Sequence, residues 1–203
     1  MKTEHVSAIE NAVKAVVGKK KINHFYFVAC GGSLAFMMPA SFIFSREIDI
    51  PSSYHPANEF VHMQPKSLGK DSVVITCSHS GTTPETVKAT EYARSMGATT
   101  IALTHLEDSP LWKAAEYPLH YDWGKEADSS DLNKGVLYSL IFRILDGISP
   151  CEKYKKGIRS IDGLDAAMKK VREQYKEVTA QWGRKYKRES LIYTMGSGVD
   201  LGE

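Results

Sequence analysis

The sequence is poor in cysteine, and the three that it has are Cys30, Cys77 and Cys151. Their number is odd and their spacing fits neither a disulfide framework nor a metal-ligand motif, which favours a reducing compartment. The sequence also lacks an apolar run long enough to cross a membrane, and its N-terminal segment carries charges where a signal peptide has an apolar core. These absences predict a cytoplasmic protein with no membrane partner.

A charge excess of one sign is also missing, because 26 Lys and Arg residues face 24 Asp and Glu residues, for a formal net charge of +2. The run Lys19-Lys20-Lys21 is typical of a solvated turn, and no basic block alternates with aromatic residues. The sequence therefore predicts no nucleic-acid partner. Its 203 residues include 42% hydrophobic residues, which is enough for one domain of average size and an appendage.

The most informative stretch is the uncharged run 73–77 together with the polar residues that follow it. The run predicts a strand buried on both faces, and Pro84 suits the first position of a helix with Thr83 as its N-cap. The residues between are Ser78-His79-Ser80-Gly81-Thr82. Their hydroxyl and backbone N–H groups, with the positive helix end, predict an anion site for which phosphate is the obvious ligand. The alternative is an ordinary capped helix after a strand.

A second strand-to-helix turn has a similar plan. The apolar run 25–30 ends in Gly31-Gly32-Ser33, and a largely apolar segment follows. The two glycines allow a close approach of the backbone to a ligand or a sharp bend into the helix. Ser33 either caps that helix or donates a hydrogen bond to an oxyanion. The sequence leaves both roles open.

The rest of the first 148 residues alternates between helical and strand patterns. The expected elements are a helix over 4–17, an edge strand over 48–54 around Pro51, a short helix over 57–63, a helix from Pro84 to Gly97, a strand over 99–104, a short helix from Pro110, a strand over 117–121 and a helix capped by Asp131. Short β-α connections require parallel strands with right-handed crossovers. The prediction is an α/β fold, a three-layer αβα sandwich whose ligand lies at the carboxyl ends of the strands.

The pattern changes after residue 163. Apolar residues then alternate in steps of three and four, which predicts a long helix with a narrow apolar stripe that lies against another helix or domain. The stripe consists of Leu164, Met168, Val171, Tyr175, Val178 and Trp182. We expect Asp162 to cap this helix and Gly183 to follow it. The stretch 190–198 repeats the plan of 25–33, so a second domain is expected to begin there.

These patterns divide the chain into four parts. They are an N-terminal helix at 1–21, a phosphate-binding domain at 22–148, a linker with a long helix at 149–189, and the beginning of a second domain at 190–203. The last part stops where its first helix is due, which indicates the N-terminal portion of a protein with two such domains.

The sequence resembles the sugar isomerase (SIS) domain family over residues 22–147, with 191–203 as the opening of a second SIS domain. Three motifs carry the resemblance: residues 25–33, the loop 78–86, and Asp108-Ser109-Pro110-Leu111. Within the family they look most like the bacterial deglycases of phosphorylated Amadori compounds, such as fructoselysine 6-phosphate. The resemblance implies a flavodoxin-like, doubly wound sheet and a homodimer or higher homo-oligomer.

The resemblance also implies the chemistry, which is cleavage of a ketosamine 6-phosphate to glucose 6-phosphate and an amine. It needs no cofactor and no metal. The residues implied for phosphate binding are Ser33, Ser78, His79, Ser80 and Thr83, supported by Gly31, Gly32, Gly81 and Thr82. In such deglycases the acid and base groups come from the second SIS domain and a neighbouring subunit, so no catalytic residue is assigned. Glu59 and Lys134 are possible sugar contacts, although surface or capping roles are more common for such residues.

Two other functions are open to a sequence of this type. The first is a phosphosugar isomerase, as in the isomerase half of glutamine–fructose-6-phosphate aminotransferase, whose glutaminase domain needs a cysteine after the initiator methionine where this chain has Lys2. The second is a sugar-phosphate sensor without catalysis, although residues 1–21 are too short for the helix-turn-helix domain of such regulators. For His79 we expect the backbone N–H to matter more than the ring. Cys30 and Cys77 are expected to act as small buried residues.

Overall fold

The structure, a computed structural model, describes residues 1–193. The helices are α1 Thr3–Val17, α2 Gly31–Glu47, α3 Ala57–Met63, α4 Pro84–Ser95, α5 Pro110–Ala114, α6 Asn133–Ile148, α7 Glu152–Asp162 and α8 Leu164–Tyr186. The strands are β1 His24–Ala29, β2 Ser52–Pro56, β3 Ser72–Cys77, β4 Thr99–Thr104 and β5 Tyr117–His120. Among the described residues, no helix is both long and apolar enough to span a membrane.

The five strands form one parallel sheet in the order β2-β1-β3-β4-β5. This is the flavodoxin-like order, and the connections diverge to opposite faces between β1 and β3. The predicted α/β sandwich with a central parallel sheet is therefore confirmed. In such sheets a crevice opens outside the carboxyl ends of the strands at this switch point, and both glycine- and serine-containing turns lie there.

Alternating residues of each central strand pack against opposite helix layers. Phe25 and Phe27 of β1 lie in a core with α1, α2 and α6, whereas Tyr26 and Val28 pack with α3 and α4 on the other face. All six residues of β3 are buried, as are all six of β4. Burial on both faces explains why these strands are uncharged runs in the sequence.

Two predicted boundaries in the sandwich are wrong. The edge strand is Ser52–Pro56, so Pro51 precedes it, and the Pro51 carbonyl accepts a hydrogen bond from the Phe25 N–H at 2.9 Å. Helix α6 begins at Asn133 with Leu132 at its N-cap, so Asp131 does not cap it. The Asp131 carboxylate is instead 2.8 Å from both the Lys2 backbone nitrogen and the His5 ring. Lys2 and His5, near the N-terminus, therefore bind the carboxylate that the sequence pattern assigned to the N-cap of α6.

The region after α6 also differs from the prediction. Helix α7 was not predicted and ends at Asp162, so Gly163 precedes α8 and Asp162 does not cap it. Helix α8 runs past Gly183 to Tyr186. Five residues of its predicted stripe are exposed within the described part of the chain, namely Met168, Val171, Tyr175, Val178 and Trp182. The expected second domain at 190–203 lies largely outside the described residues and stays a prediction.

Candidate functional site

The two predicted turns meet at the switch point of the sheet. Ala29 and Cys77 are register partners at the carboxyl ends of β1 and β3, and each strand leads into one turn. The Thr86 hydroxyl on α4 lies 3.8 Å from the Cys30 sulfur, so the first turn of α4 contacts the end of β1. The starts of α2 and α4 therefore face one crevice.

Gly81 fixes the shape of the loop 78–83. Its φ of +64° is in the left-handed region, and a Cβ atom there would be 2.1 Å from the Ser109 hydroxyl oxygen. The Gly81 N–H donates to the Ser78 carbonyl at 3.0 Å, and its carbonyl accepts from the Leu111 N–H at 2.9 Å. A side chain at this position would meet both strain and a steric clash, so only glycine fits.

The hydroxyl groups of the loop are paired with one another. Ser78 Oγ lies 2.8 Å from Thr83 Oγ1, and Ser80 Oγ lies 2.7 Å from Thr82 Oγ1. Thr83 is the N-cap residue and Pro84 the first residue of α4, as predicted, but the Thr83 side chain makes no capping hydrogen bond. Ser80 and Thr83 are partly exposed and can rotate their hydroxyls toward a ligand.

The loop amides divide into two groups. The N–H groups of Ser78 and Gly81 donate to backbone carbonyls, and that of Thr82 donates to Ser80 Oγ at 3.3 Å. Within residues 1–193, no hydrogen-bond partner is found for the backbone N–H of His79, Ser80 or Thr83. Unpaired amides at the positive end of a helix are the donors that an anion requires.

The first turn adds Ser33 from the other side of the crevice. Helix α2 begins at Gly31 with Cys30 at its N-cap, so the capping role considered for Ser33 is wrong. Ser33 instead lines the same small cavity as Cys77. Burial raises the pKa of the Cys77 thiol to about 12, and the nearby Ser33 side chain offsets this only in part. Cys77 therefore stays a neutral thiol, in keeping with the small buried role expected of it.

Gly31 and Gly32 differ in their environment from Gly81. Gly31 has a φ of +53°, which places it in the left-handed region and bends the chain sharply into α2. A Cβ atom added at either position would meet no atom within 4 Å. The space above this turn is therefore open to a ligand.

The His79 ring lies in an aromatic cluster that the sequence did not predict. Its Nδ1 is 3.1 Å from Tyr121 Oη, its ring stacks on His105 with centroids 5.2 Å apart, and Trp123 packs edge-on at 4.7 Å. Burial lowers the pKa of His79, and the neighbouring His105 lowers it further. Burial also raises the pKa of Tyr121 well above its ordinary value. A neutral imidazole is thus hydrogen-bonded to a protonated phenol.

A small cavity connects this cluster to the start of α2. Its volume is about 120 Å³. It is lined by Gly32, Ser33, Phe36, Cys77, His79, Tyr121, Trp123 and Asn133. Phe36, Tyr121, Trp123 and Asn133 were missed by the sequence reasoning. They come from three separate segments, and no local pattern relates those segments.

The two possible sugar contacts lie outside this lining. Glu59 is exposed on α3, where its charge acts on His55 of the edge strand. Lys134 is exposed in the first turn of α6, next to Asn133, and its backbone N–H donates to Asn133 Oδ1 at 2.8 Å. Lys134 is therefore one residue from the cavity, whereas Glu59 belongs to the β2-α3 edge of the sheet.

Comparison with known proteins agrees with this geometry. The sequence model of the SIS domain family matches residues 20–142. Fructosamine deglycase FrlB of Bacillus subtilis is 45% identical over 184 residues, which is 90% of this chain and 56% of that protein. Fructoselysine 6-phosphate deglycase of Escherichia coli K12 is 28% identical over 195 residues, or 96% of this chain and 56% of that protein. The chain thus spans about half the length of these relatives.

A solved structure extends the similarity to the whole fold. A candidate phosphosugar isomerase from Bacillus subtilis superposes with a TM-score of 0.88 at 41% sequence identity, covering 99% of this chain and 62% of the other. The TM-score shows that the two chains share a fold, and the matched SIS segment covers more than half of this chain. The chain therefore belongs to the SIS domain family.

Proposed function

We propose that this chain is the phosphosugar-binding portion of a deglycase that cleaves a ketosamine 6-phosphate to glucose 6-phosphate and a free amine. The observation that carries the proposal is the loop 78–83, where partly exposed hydroxyls and unpaired amides precede helix α4 at the switch point of the sheet. The 45% identity to a fructosamine deglycase supports the choice of substrate.

In this proposal the substrate phosphate binds at the N-terminus of α4. The amides of Ser80 and Thr83 donate to its oxygens, and the hydroxyls of Ser78, Ser80 and Thr83 replace their mutual hydrogen bonds with bonds to phosphate. Ser33 approaches from the adjacent strand end. These donors are neutral, so the helix dipole and the charge-assisted character of each bond supply the attraction.

The cleavage itself requires proton transfers at C1 and C2 of the open-chain sugar, followed by hydrolysis of an imine. An acid and a base with pKa values near neutrality are needed within hydrogen-bond reach of both carbons. We assign neither role to a residue of this chain, because the neutral His79 ring is held by Tyr121. The acid and base are proposed to come from the rest of a two-domain protein.

A phosphosugar isomerase is the second candidate, favoured by the description of the Bacillus subtilis structure. It would use the same phosphate loop, since isomerisation also begins with an anchored open-chain sugar. A sensor without turnover is the third, and for it binding alone would suffice. The cytoplasmic location and the homodimer expected from the sequence stay predictions.

Two measurements separate these candidates. Calorimetric titration of this chain with glucose 6-phosphate and with glucose tests the site, and we expect heat of binding from the phosphorylated sugar alone. Incubation of the complete gene product with fructoselysine 6-phosphate, fructose-asparagine 6-phosphate and fructose 6-phosphate tests the reaction. Release of free amino acid supports the deglycase, and isomerisation of fructose 6-phosphate supports the isomerase. Binding of the phosphorylated sugars without turnover supports the sensor.

A further inference from the structure

Three potential metal ligands meet where α1 packs against the end of β5. His5 Nε2 and His120 Nδ1 are 3.2 Å apart, and Asp122 Oδ1 lies 3.8 Å from the first and 3.9 Å from the second. Donor atoms bound to one tetrahedral zinc ion are about 3.4 Å apart, given bonds of about 2.0–2.2 Å to nitrogen and oxygen. The triangle therefore has the size of one face of such a site.

His5 is held in the orientation that a metal ligand needs. Its ring is buried, and its Nδ1 lies 2.8 Å from Asp131 Oδ1. A carboxylate only accepts hydrogen bonds, so Nδ1 carries the proton and Nε2 presents its lone pair to the triangle. A carboxylate behind a histidine ligand is the usual arrangement in zinc proteins, where it fixes the tautomer and the ring. Asp131 itself is anchored by the Lys2 backbone N–H at 2.8 Å.

The charges around the triangle favour a cation. Asp122 and Asp131 are close to it, and Glu4 and Glu107 line the adjoining cavity. The nearby cations are the Lys2 ammonium, whose Nζ lies 2.8 Å from Asp122 Oδ2 and leaves Oδ1 available, and the N-terminal ammonium, which is adjacent to the Lys2 amide that contacts Asp131. Four carboxylates against two ammonium groups give a local negative charge.

The cavity provides room for the remaining coordination position. It has a volume of about 290 Å³ and is lined by both histidines together with Glu4, Ala8, Glu107 and Trp112. A water molecule bound there would complete four ligands, and its outer side would face the cavity.

We propose that His5, His120 and Asp122 bind one Zn²⁺ ion, with Asp131 as the positioning residue behind His5. Two imidazole nitrogens and one carboxylate oxygen are ligands that Zn²⁺ accepts readily. The ion connects α1 to the carboxyl end of β5. His5 is 115 residues from His120, which is why the sequence contains no metal motif at this place.

Cobalt provides the direct test, because Co²⁺ in a tetrahedral nitrogen and oxygen site absorbs visible light. The untagged 203-residue chain, stripped with a chelator, should bind one equivalent of Co²⁺ with visible absorption and release it to Zn²⁺. His120→Ala should weaken binding at least about tenfold, and Asp131→Asn about 10–100-fold. The matched control is His62→Ala, because His62 is an exposed histidine on α3 outside the triangle.

Thermal unfolding with and without Zn²⁺ gives a second readout of the same variants. Zn²⁺ should raise the Tm of the wild type and of His62→Ala, but not that of His120→Ala. If Co²⁺ gives no visible band, or if His120→Ala binds as tightly as the wild type, the proposal is wrong. In that case the two ring nitrogens are joined by a direct hydrogen bond, which His120 Nδ1 donates to His5 Nε2. Neither result depends on sugar-phosphate binding.

Discussion

The His79 Nδ1 atom lies 3.1 Å from Tyr121 Oη, so the ring in the loop 78–83 is bound to the segment that follows β5. Desolvation and the neighbouring His105 lower the pKa of His79, and burial raises that of Tyr121. The bond therefore joins a neutral imidazole to a protonated phenol. It restrains the ring beside the loop whose backbone N–H groups we propose as the anion donors.

Replacing Tyr121 with Phe should raise the pKa of His79 toward its ordinary value of about 6.5. A phenol that donates to Nδ1 stabilises the neutral ring, so removal of the hydroxyl should make protonation of the ring easier. Titration of the His79 ring by NMR measures this directly. Tyr117→Phe serves as the control, because that residue lies at the start of β5, four residues before Tyr121 and away from the ring. An unchanged His79 pKa in Tyr121→Phe would show that the bond does not set its charge.

A second prediction concerns His24 and His55, whose rings each lie 2.8 Å from the Ser53 hydroxyl. Burial lowers the pKa of both, and the charge of His55 lowers that of His24 further. The unfolded chain binds protons near pH 6.5, where these folded rings are still neutral. The free energy of unfolding should therefore fall as pH decreases below about 6.5, and these two groups contribute no pH dependence well above it.

Urea unfolding at several pH values between about 7.5 and 5 measures the slope of the free energy of unfolding against pH. This range lies above the pKa values of most carboxylates, so their titration contributes little. In the double variant His24→Gln/His55→Gln the slope should be smaller than in the wild type. His62→Gln, on the exposed side of α3, is the matched control and should keep the wild-type slope. Equal slopes in the wild type and the double variant would mean that these rings do not cause the acid sensitivity.

A third prediction separates the glycines of the two turns. Gly81→Ala should lower the free energy of unfolding by about 1–3 kcal/mol, because the residue has a φ of +64° and its Cβ would clash with Ser109. Gly32→Ala should change it by less than about 0.5 kcal/mol, since a Cβ there meets no atom. Chemical denaturation of the two variants compares them. A Gly81→Ala protein as stable as Gly32→Ala would contradict the loop geometry.

Much of the fold could be predicted because the central strands are buried on both faces. Burial makes β3 and β4 uncharged β-branched runs, and Thr99–Thr104 was placed with its observed bounds. The positions of Thr83 and Pro84 at the start of α4 were also predicted, since proline and threonine have strong local preferences there. The predictions were correct where the residues of a single segment determine its secondary structure.

The wrong or missing predictions concern residues whose contacts come from distant parts of the sequence. Asp131 was assigned to a helix cap, but Lys2 and His5 take its carboxylate across more than 120 residues of sequence. Helix α7 was missed because charged residues dominate it, with Tyr154 and Ile161 as its only buried side chains among the described residues. The aromatic cluster around His79 needs Tyr121 and Trp123 from beyond β5, and no spacing in the sequence relates them.

The loop 78–83, where we propose that phosphate binds, gives the last prediction. Ser80→Ala together with Thr83→Ala should weaken glucose 6-phosphate binding by about 1–3 kcal/mol through lost charge-assisted hydrogen bonds. Calorimetry measures the change, and Ser160→Ala/Thr179→Ala is the matched control because it removes the same two hydroxyls from exposed positions on α7 and α8. The backbone amides of the loop remain in the double variant, so residual binding is expected. If the loop variant binds as tightly as the control, the hydroxyls of Ser80 and Thr83 do not bind the phosphate and the assignment of the site is wrong.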